Sequence, residues 1–413
     1  MQKKLLIIGY VWPEPNTTAA GGRMLQLLHF FIKHQYQISF ASTASEGDYS
    51  FDLDVLGVAK VAIRLNHSSF DELLQDLDPD IVLFDRFMTE EQFGWRVAQY
   101  APKAVRILDT EDLHSLRMAR YGAYKKHTPF SSDQWLATDL AKREIASIYR
   151  CDFSLIISFF EIELLKEVLK IPDQLILHLP IMVHEITAKD QQEWLGYHEK
   201  QDFVCIGNGK HAPNIDAVVR LKKDIWPLIR QQLPEANLRV YGAYLPEHIL
   251  QMNKPREGFC VLGHAKEAKE VIGRARVNLA PLNFGAGIKG KLIDGMRFGT
   301  PSVTTTIGAE GMHPGYDWNG LIADDALSFA NAAVALYREK AIWENARKNG
   351  VEIVNQLYNT DILEDRFYSR IEEVQHRLSD FRAKNFIGEM LMHHTMAGTK
   401  YMSKWIEAKN IIS

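Results

Sequence analysis

The chain has 413 residues, more than one hydrophobic core usually holds, so two domains are expected. Its 46% apolar and 24% charged content is that of a soluble globular protein, and a formal charge of −4 gives no ground for general nucleic-acid affinity. Three widely spaced cysteines, Cys151, Cys205 and Cys260, follow no metal-ligand pattern and read as buried thiols of a reducing, cytoplasmic compartment.

The first predicted strand is Leu5 to Ile8. Lys3 and Lys4 precede it as in a signal peptide, but the apolar run is short and meets Trp12-Pro-Glu-Pro15 without a small-residue cleavage site. No stretch of about 18 uncharged apolar residues occurs, so no transmembrane helix is expected. A loop from Tyr10 to Gly22 ends at Gly21-Gly22-Arg23; Met24, Leu27, Leu28, Phe31 and Ile32 then recur at helical spacing, and Ile38 to Ala41 completes a βαβ opening. Asp80 to Phe84 and Ala104 to Leu108 read as further parallel strands. Their polar ends, Asp85-Arg86 and Asp109-Thr-Glu-Asp-Leu-His114, fall where open parallel sheets hold ligands. Asp52-Leu-Asp54 and Asp76-Leu-Asp78 match a metal-holding D-x-D but lie in acidic connecting segments, so no metal site is expected.

From Arg117 to Arg150 the chain reads as helical, with Arg117, Arg120, Lys125, Lys126, Lys142 and Arg143 on a basic face. Solvation is the default for such a face, and contact with a phosphorylated or lipid-linked acceptor the alternative. Phe153 to Ile157 is a strand ending at Ser158-Phe-Phe-Glu161. After Leu179-Pro180 the segment from Val183 to Gln201 loses periodicity and reads as a linker, and Phe203 to Ile206 opens a second α/β unit. Asp216 is expected to cap the helix that runs through Val218, Leu221 and Ile225. Leu238 to Tyr241 and Cys260 to Leu262 are short strands. Repetition of strand, helix and strand on both sides of the linker predicts an α/β protein of two doubly wound, Rossmann-like domains facing a central cleft.

Val277 to Leu282 predicts a buried strand followed by Gly285, Gly287 and Gly290, a short helix with Leu292, Ile293 and Met296 on one face, a stop at Gly299 and Pro301, and a strand from Ser302 to Ile307. A glycine loop opening a helix offers N–H groups and the positive dipole end to an anion, and Lys289 and Lys291 add charge. The natural occupant is a phosphate or diphosphate; the plain alternative is a purely steric turn with solvated lysines. Neither G-x-x-x-x-G-K-[ST] nor G-x-G-x-x-G after a first strand is present, which argues against a nicotinamide oxidoreductase. The tail from Asp361 is helical, with Phe367, Ile371 and Val374 at core spacing. Phe386 to Ile411 mixes Met, Leu, Trp and Tyr with Lys384, Lys400, Lys404 and Lys409, so packing on the first domain is expected and membrane-surface contact is the lesser reading.

The run apolar-Pro281, glycine loop with Lys289, Lys291-Leu-Ile-Asp-Gly-Met296, Gly299-Thr-Pro301 and Thr-Thr-Ile-Gly-Ala-Glu-Gly311 resembles the donor site of retaining glycosyltransferases of family 4, group 1, in the branch with a Gly-x-Gly-x-Lys loop. Where that family usually has two glutamates, this chain has Ala286 and Asp294. The resemblance implies a GT-B fold with an N-terminal domain over 1–182, a linker over 183–202, a donor domain over 203–365 and a tail over 366–413 that returns to the first domain. It also implies metal-independent transfer of a sugar, with retention, from a nucleotide-diphosphate co-substrate to a hydroxyl acceptor, such as a glycan or lipid-linked sugar of the cell envelope, with no further cofactor. The implied donor-binding set is Gly21, Gly22, Gly207, Asn208, Lys210, Asn214, Gly285, Gly287, Lys291, Asp294, Glu310 and Gly311, with Asp294 on the ribose hydroxyls. Asn208 and Asn214 stand where the family commonly has Arg and Lys, so cationic duty passes to Lys210 or Lys289. Lys289, Glu111 and His114 are the catalytic candidates, Glu111 falling where relatives have a histidine. A GT-B epimerase or phosphorylase, or a catalytically degenerate nucleotide-sugar-binding protein, remains the alternative.

Overall fold

The computed structural model describes residues 2–412, less the side chains of 394–396, 411 and 412. Its strands are β1 (Lys4–Gly9), β2 (Gln37–Ser42), β3 (Ala59–Ala62), β4 (Ile81–Asp85), β5 (Val105–Asp109), β6 (Phe153–Ile156), β7 (Ile176–His178), β8 (Gln201–Ile206), β9 (Leu238–Tyr241), β10 (Phe259–Gly263), β11 (Ala275–Ala280), β12 (Ser302–Thr304) and β13 (Gly320–Ile322). They form two parallel sheets, β3-β2-β1-β4-β5-β6-β7 and β10-β9-β8-β11-β12-β13. The order reverses between β1 and β4 in the first sheet and between β8 and β11 in the second. At such a reversal, successive crossovers run to opposite faces and leave a crevice outside the strand ends.

The central strands are near-continuous apolar runs because helices cover both faces: Ile81, Val82, Leu83 and Phe84 are all inaccessible. Helix Ala19–Lys33 lays Met24, Leu27, Leu28 and Phe31 into the same core as Leu5 and Ile7. Thr18 opens it by accepting the Gly21 N–H at 2.9 Å, a cap whose loss typically costs about 1 kcal/mol. Gly21 and Gly22 therefore lie in the first helical turn, and not in the preceding loop as the sequence suggests. Gly21 is needed there, because a Cβ would sit 2.4 Å from the Glu14 carbonyl carbon.

Two other expectations need correction, on the linker and on Asp216. The linker contains a helix, Ala188–Glu193, opened by a Thr187/Asp190 capping box. Asp216 does not cap the helix that follows β8: this helix begins at Ala212, with His211 before it, and Asp216 accepts the Tyr124 hydroxyl proton at 2.9 Å instead. Asp52 and Asp54 lie beside Lys60, with Asp52 capping a short 3-10 turn. Past β13 the chain returns to the first sheet: Phe367 of helix Thr360–His376 stands 4.6 Å from Phe30, and Arg382 pairs twice with Asp152, at 2.8 Å each.

Candidate active site

The loops at the two reversals meet. From the loop after β1, the Glu14 carboxylate accepts the Tyr244 hydroxyl proton at 3.1 Å and the Thr17 carbonyl accepts from Asn208 Nδ2 at 3.3 Å. A Cβ on Gly290 would come 2.8 Å from Cβ of Ala19. Gly290 and Ala19 are the first residues of helices Gly290–Arg297 and Ala19–Lys33, so two helix N-termini abut across the cleft. A helix start carries the positive dipole end, so two of them side by side suit an anion.

The loop after β11 lies directly on the first sheet's elements. Gly287 has φ 62° and leaves no room for a side chain, since a Cβ would be 2.8 Å from that of Asp112. Its N–H donates to Glu161 Oε1 at 2.7 Å, and the same oxygen accepts the Leu113 N–H at 3.1 Å. Glu161 Oε2 is buried and makes no hydrogen bond among the described residues. Burial, reinforced by the charge of Asp112, pushes the Glu161 carboxyl up to about 8. A buried neutral acid costs far less than a buried anion and turns this group into a donor.

Lys289 is buried rather than solvated, 8% exposed, and its Nζ donates to the Gly287 carbonyl at 2.9 Å. Burial brings its ammonium down to about 8, against the opposing pull of Glu310. The basic face of the preceding helices is likewise not simply solvated. Arg120 is buried and crosses the cleft, donating to Gly285 O at 2.9 Å and to the two Glu310 oxygens at 2.6 and 2.8 Å. Arg117 pairs with Asp112 at 2.6 Å.

Beside this cluster, Lys291 Nζ donates to Asn214 Oδ1 at 2.6 Å, and Asn214 Nδ2 to Asn208 O at 3.0 Å. Gly207 lies against both, a Cβ there falling 2.5 Å from Asn214 Cγ. Lys210 stands apart, exposed, with Nζ 3.5 Å from the centre of the Tyr244 ring. Asp294 is in the middle of its helix, not at the head, and accepts from Arg297 at 3.1 Å. Gly311, at φ 69°, sits where a Cβ would be 2.2 Å from Ser158 Oγ.

The wall at the ends of β4 and β5 is densely ionisable. Glu111 holds a left-handed backbone, φ 62°, unusual for a side-chain-bearing residue. Crowding by protein, with Asp109 the largest charge influence, pushes its carboxyl up to about 8, a value fitted to proton transfer near neutrality. His114 Nδ1 lies 2.6 Å from Arg117 Nη2, and burial together with that guanidinium lowers its basicity, so the ring is neutral and accepts. The sequence offers Arg86 at a strand end and Arg120 on a basic face, but it does not bring out Glu161 or the contacts of Arg120 across the cleft. The only sequence signal for Glu161 is a place just beyond a strand end.

Residues 200–339 match the family model described as Glycosyl transferases group 1. No curated protein matches the chain in sequence. Among solved structures it is similar to sucrose-phosphate synthase from Thermosynechococcus elongatus, at 15% identity over 90% of this chain and 99% of that one, with a TM-score of 0.67. It is also similar to a glycosyltransferase from Rickettsia africae, at 10% identity, 90% and 98% coverage and a TM-score of 0.65. A third similar structure is Anabaena HepE in complex with UDP and glucose, at 11% identity, 90% and 100% coverage and a TM-score of 0.63. The fold is GT-B, and the segment built on the second sheet matches the model of group 1 glycosyltransferases.

Proposed function

We propose that this glycosyltransferase moves a sugar from a nucleotide diphosphate to a hydroxyl acceptor, with retention of configuration and without a metal or other cofactor, as members of family 4 do. The acceptor is a glycan, a lipid-linked sugar or a small molecule. Residues 1–182 with 366–413 form the acceptor half and 203–365 the donor half, joined by 183–202. The observation that carries this reading is the meeting of two helix starts at Ala19 and Gly290, flanked by Lys289 and Lys291. Charge growing on a departing diphosphate would find fixed N–H dipoles and ammonium groups there, and such preorganised electrostatics is commonly the largest catalytic contribution. Asp294 takes the ribose hydroxyls, and Glu111 and His114 work on the opposite wall.

One observation favours a second reading. Ala286 replaces the acid expected at its position, which suits a nucleotide-sugar-binding protein that no longer transfers. A thermal-shift series with UDP-, GDP-, ADP- and dTDP-sugars, with and without chelator, tests the donor site that both readings share. A ligand at a hundred times its Kd stabilises by about 2.7 kcal/mol. The expected result is a chelator-insensitive shift with at least one donor; a shift that chelator abolishes, or none at all, contradicts the proposal.

The pH dependence has a definite sign. Lys289 is charged below about 8, and Glu161 and Glu111 are neutral below about 8. All three changes on the alkaline side add negative charge, or remove positive charge, where the diphosphate binds or reacts. kcat/KM for the donor should fall as pH rises through that value, and Lys289→Arg should move part of the fall upward. A profile level through this range, in wild type, speaks against the assignment of all three.

A further inference from the structure

Helix Phe386–Ile412 packs on the first sheet's outer helices by one face only. On that face Gly388 abuts the Tyr149 carbonyl, Met392 Sδ is 3.5 Å from Arg106 Nη1, Ser403 bonds Asn66 Oδ1 at 2.8 Å, and Glu407 pairs with Arg96. The other face holds large exposed apolar side chains: Phe386 is 75% exposed, Tyr401 68% and Trp405 54%, with Ile387 and Met390 at 45% each. At about 100° per residue these five fall within roughly one quadrant of the helix, opposite Gly388 and Ser403. A stripe this long on a soluble chain marks a contact surface.

Its charges are of one sign. Lys404 lies within the stripe's edge and Lys409 beyond the other edge, its Nζ 4.0 Å from the centre of the Trp405 ring. The helix's two acids, Glu389 and Glu407, project well to the side of the stripe, and Glu407 is already held by Arg96. We propose that this face docks on an anionic lipid surface, its aromatic and aliphatic groups entering the headgroup boundary while the lysines meet lipid phosphates. Apolar area and basic flanks on one helix lying in plane are what such a surface binds. A second copy of the chain fits less well, because stripe-to-stripe pairing sets lysines against lysines with no free acid on the face. The inference does not depend on the transfer reaction, and its failure would leave that reading intact.

The test is co-sedimentation of the full chain with phosphatidylcholine vesicles, with and without phosphatidylglycerol. Wild type should pellet with the anionic vesicles and release in high salt. Phe386→Ser with Trp405→Ser should weaken that binding by about tenfold or more, as loss of buried apolar area requires. These positions touch neither the cleft nor the packed face, so the melting temperature and the donor-induced thermal shift should not change. Lys404→Gln with Lys409→Gln should weaken binding to anionic vesicles and leave neutral ones unaffected. Wild type that stays in the supernatant, or Ser variants that pellet as well as wild type, would overturn the proposal. So would a dimer in light scattering that the same Ser substitutions convert to monomer, which assigns the face to a second copy.

Discussion

Lys289→Ala should lower kcat by roughly a hundredfold, the usual result of removing one preorganised contact to charge that develops in the transition state, about 3 kcal/mol. The side chain is buried, opens helix Gly290–Arg297 and reaches back to the Gly287 carbonyl in the same loop. In the proposed reaction, a diphosphate arriving at the loop would offer its ammonium a better partner than a neutral carbonyl, one that grows more negative as the sugar leaves. Asp294→Ala should behave differently. Ribose hydroxyls do not change during transfer, so its loss removes binding that is equal in ground and transition states and raises donor KM with kcat nearly kept. If Lys289 only braces the loop, Lys289→Ala will lower the melting temperature while kcat in the folded fraction stays near wild type. Steady-state kinetics on both variants, beside their melting curves, separate the two outcomes.

Arg120→Ala should be comparably damaging by another route. Its guanidinium ties the helix His114–Lys125 to Glu310 and to Gly285 O across the cleft. Both partners are largely shielded, with side chains 7% and 17% exposed, so removing one leaves a poorly solvated carboxylate behind. Breaking such a pair costs on the order of 3 kcal/mol, at the low end of the range because Glu310 keeps some water. The contact joins the two halves of the cleft and lies outside either core, so the loss falls on closure. kcat/KM for the donor should drop by roughly a hundredfold with little change in melting temperature. Glu310→Gln added to Arg120→Ala should cost little more, because both report one interaction. Additive effects of the two changes would show that the pair is not coupled.

The legible parts of the fold are those where one residue type repeats at a fixed interval. β4 shows most plainly in the sequence because a parallel strand covered on both faces is a near-continuous apolar run; β5 and β11 show it less cleanly, with Arg106 in the one and Arg276 and Asn278 in the other. β3 gives no such signal, being a four-residue edge strand that is half exposed, Ala59 to Ala62. Gly21 and Gly22 look like loop residues because glycine disfavours helices, yet tertiary contact with Glu14 decides the position. The glycine loop with its lysines is legible in the sequence as a candidate anion site, but the burial of Lys289 is not. Nothing in local periodicity tells that another domain will close over a lysine. Arg120 with Glu310, and Glu161 with Gly287, are separated by 190 and 126 residues, and only the folded chain brings them together.

Release of nucleoside diphosphate from a panel of nucleotide sugars, measured with wild type and with Lys289→Ala in the presence of chelator, tests the proposed transfer most directly. Wild type should liberate the diphosphate from at least one donor, by slow hydrolysis without acceptor, and Lys289→Ala should do so roughly a hundredfold more slowly. Binding of a donor with no release by wild type, or equal release by both proteins, would contradict transfer at the Gly285–Gly290 loop.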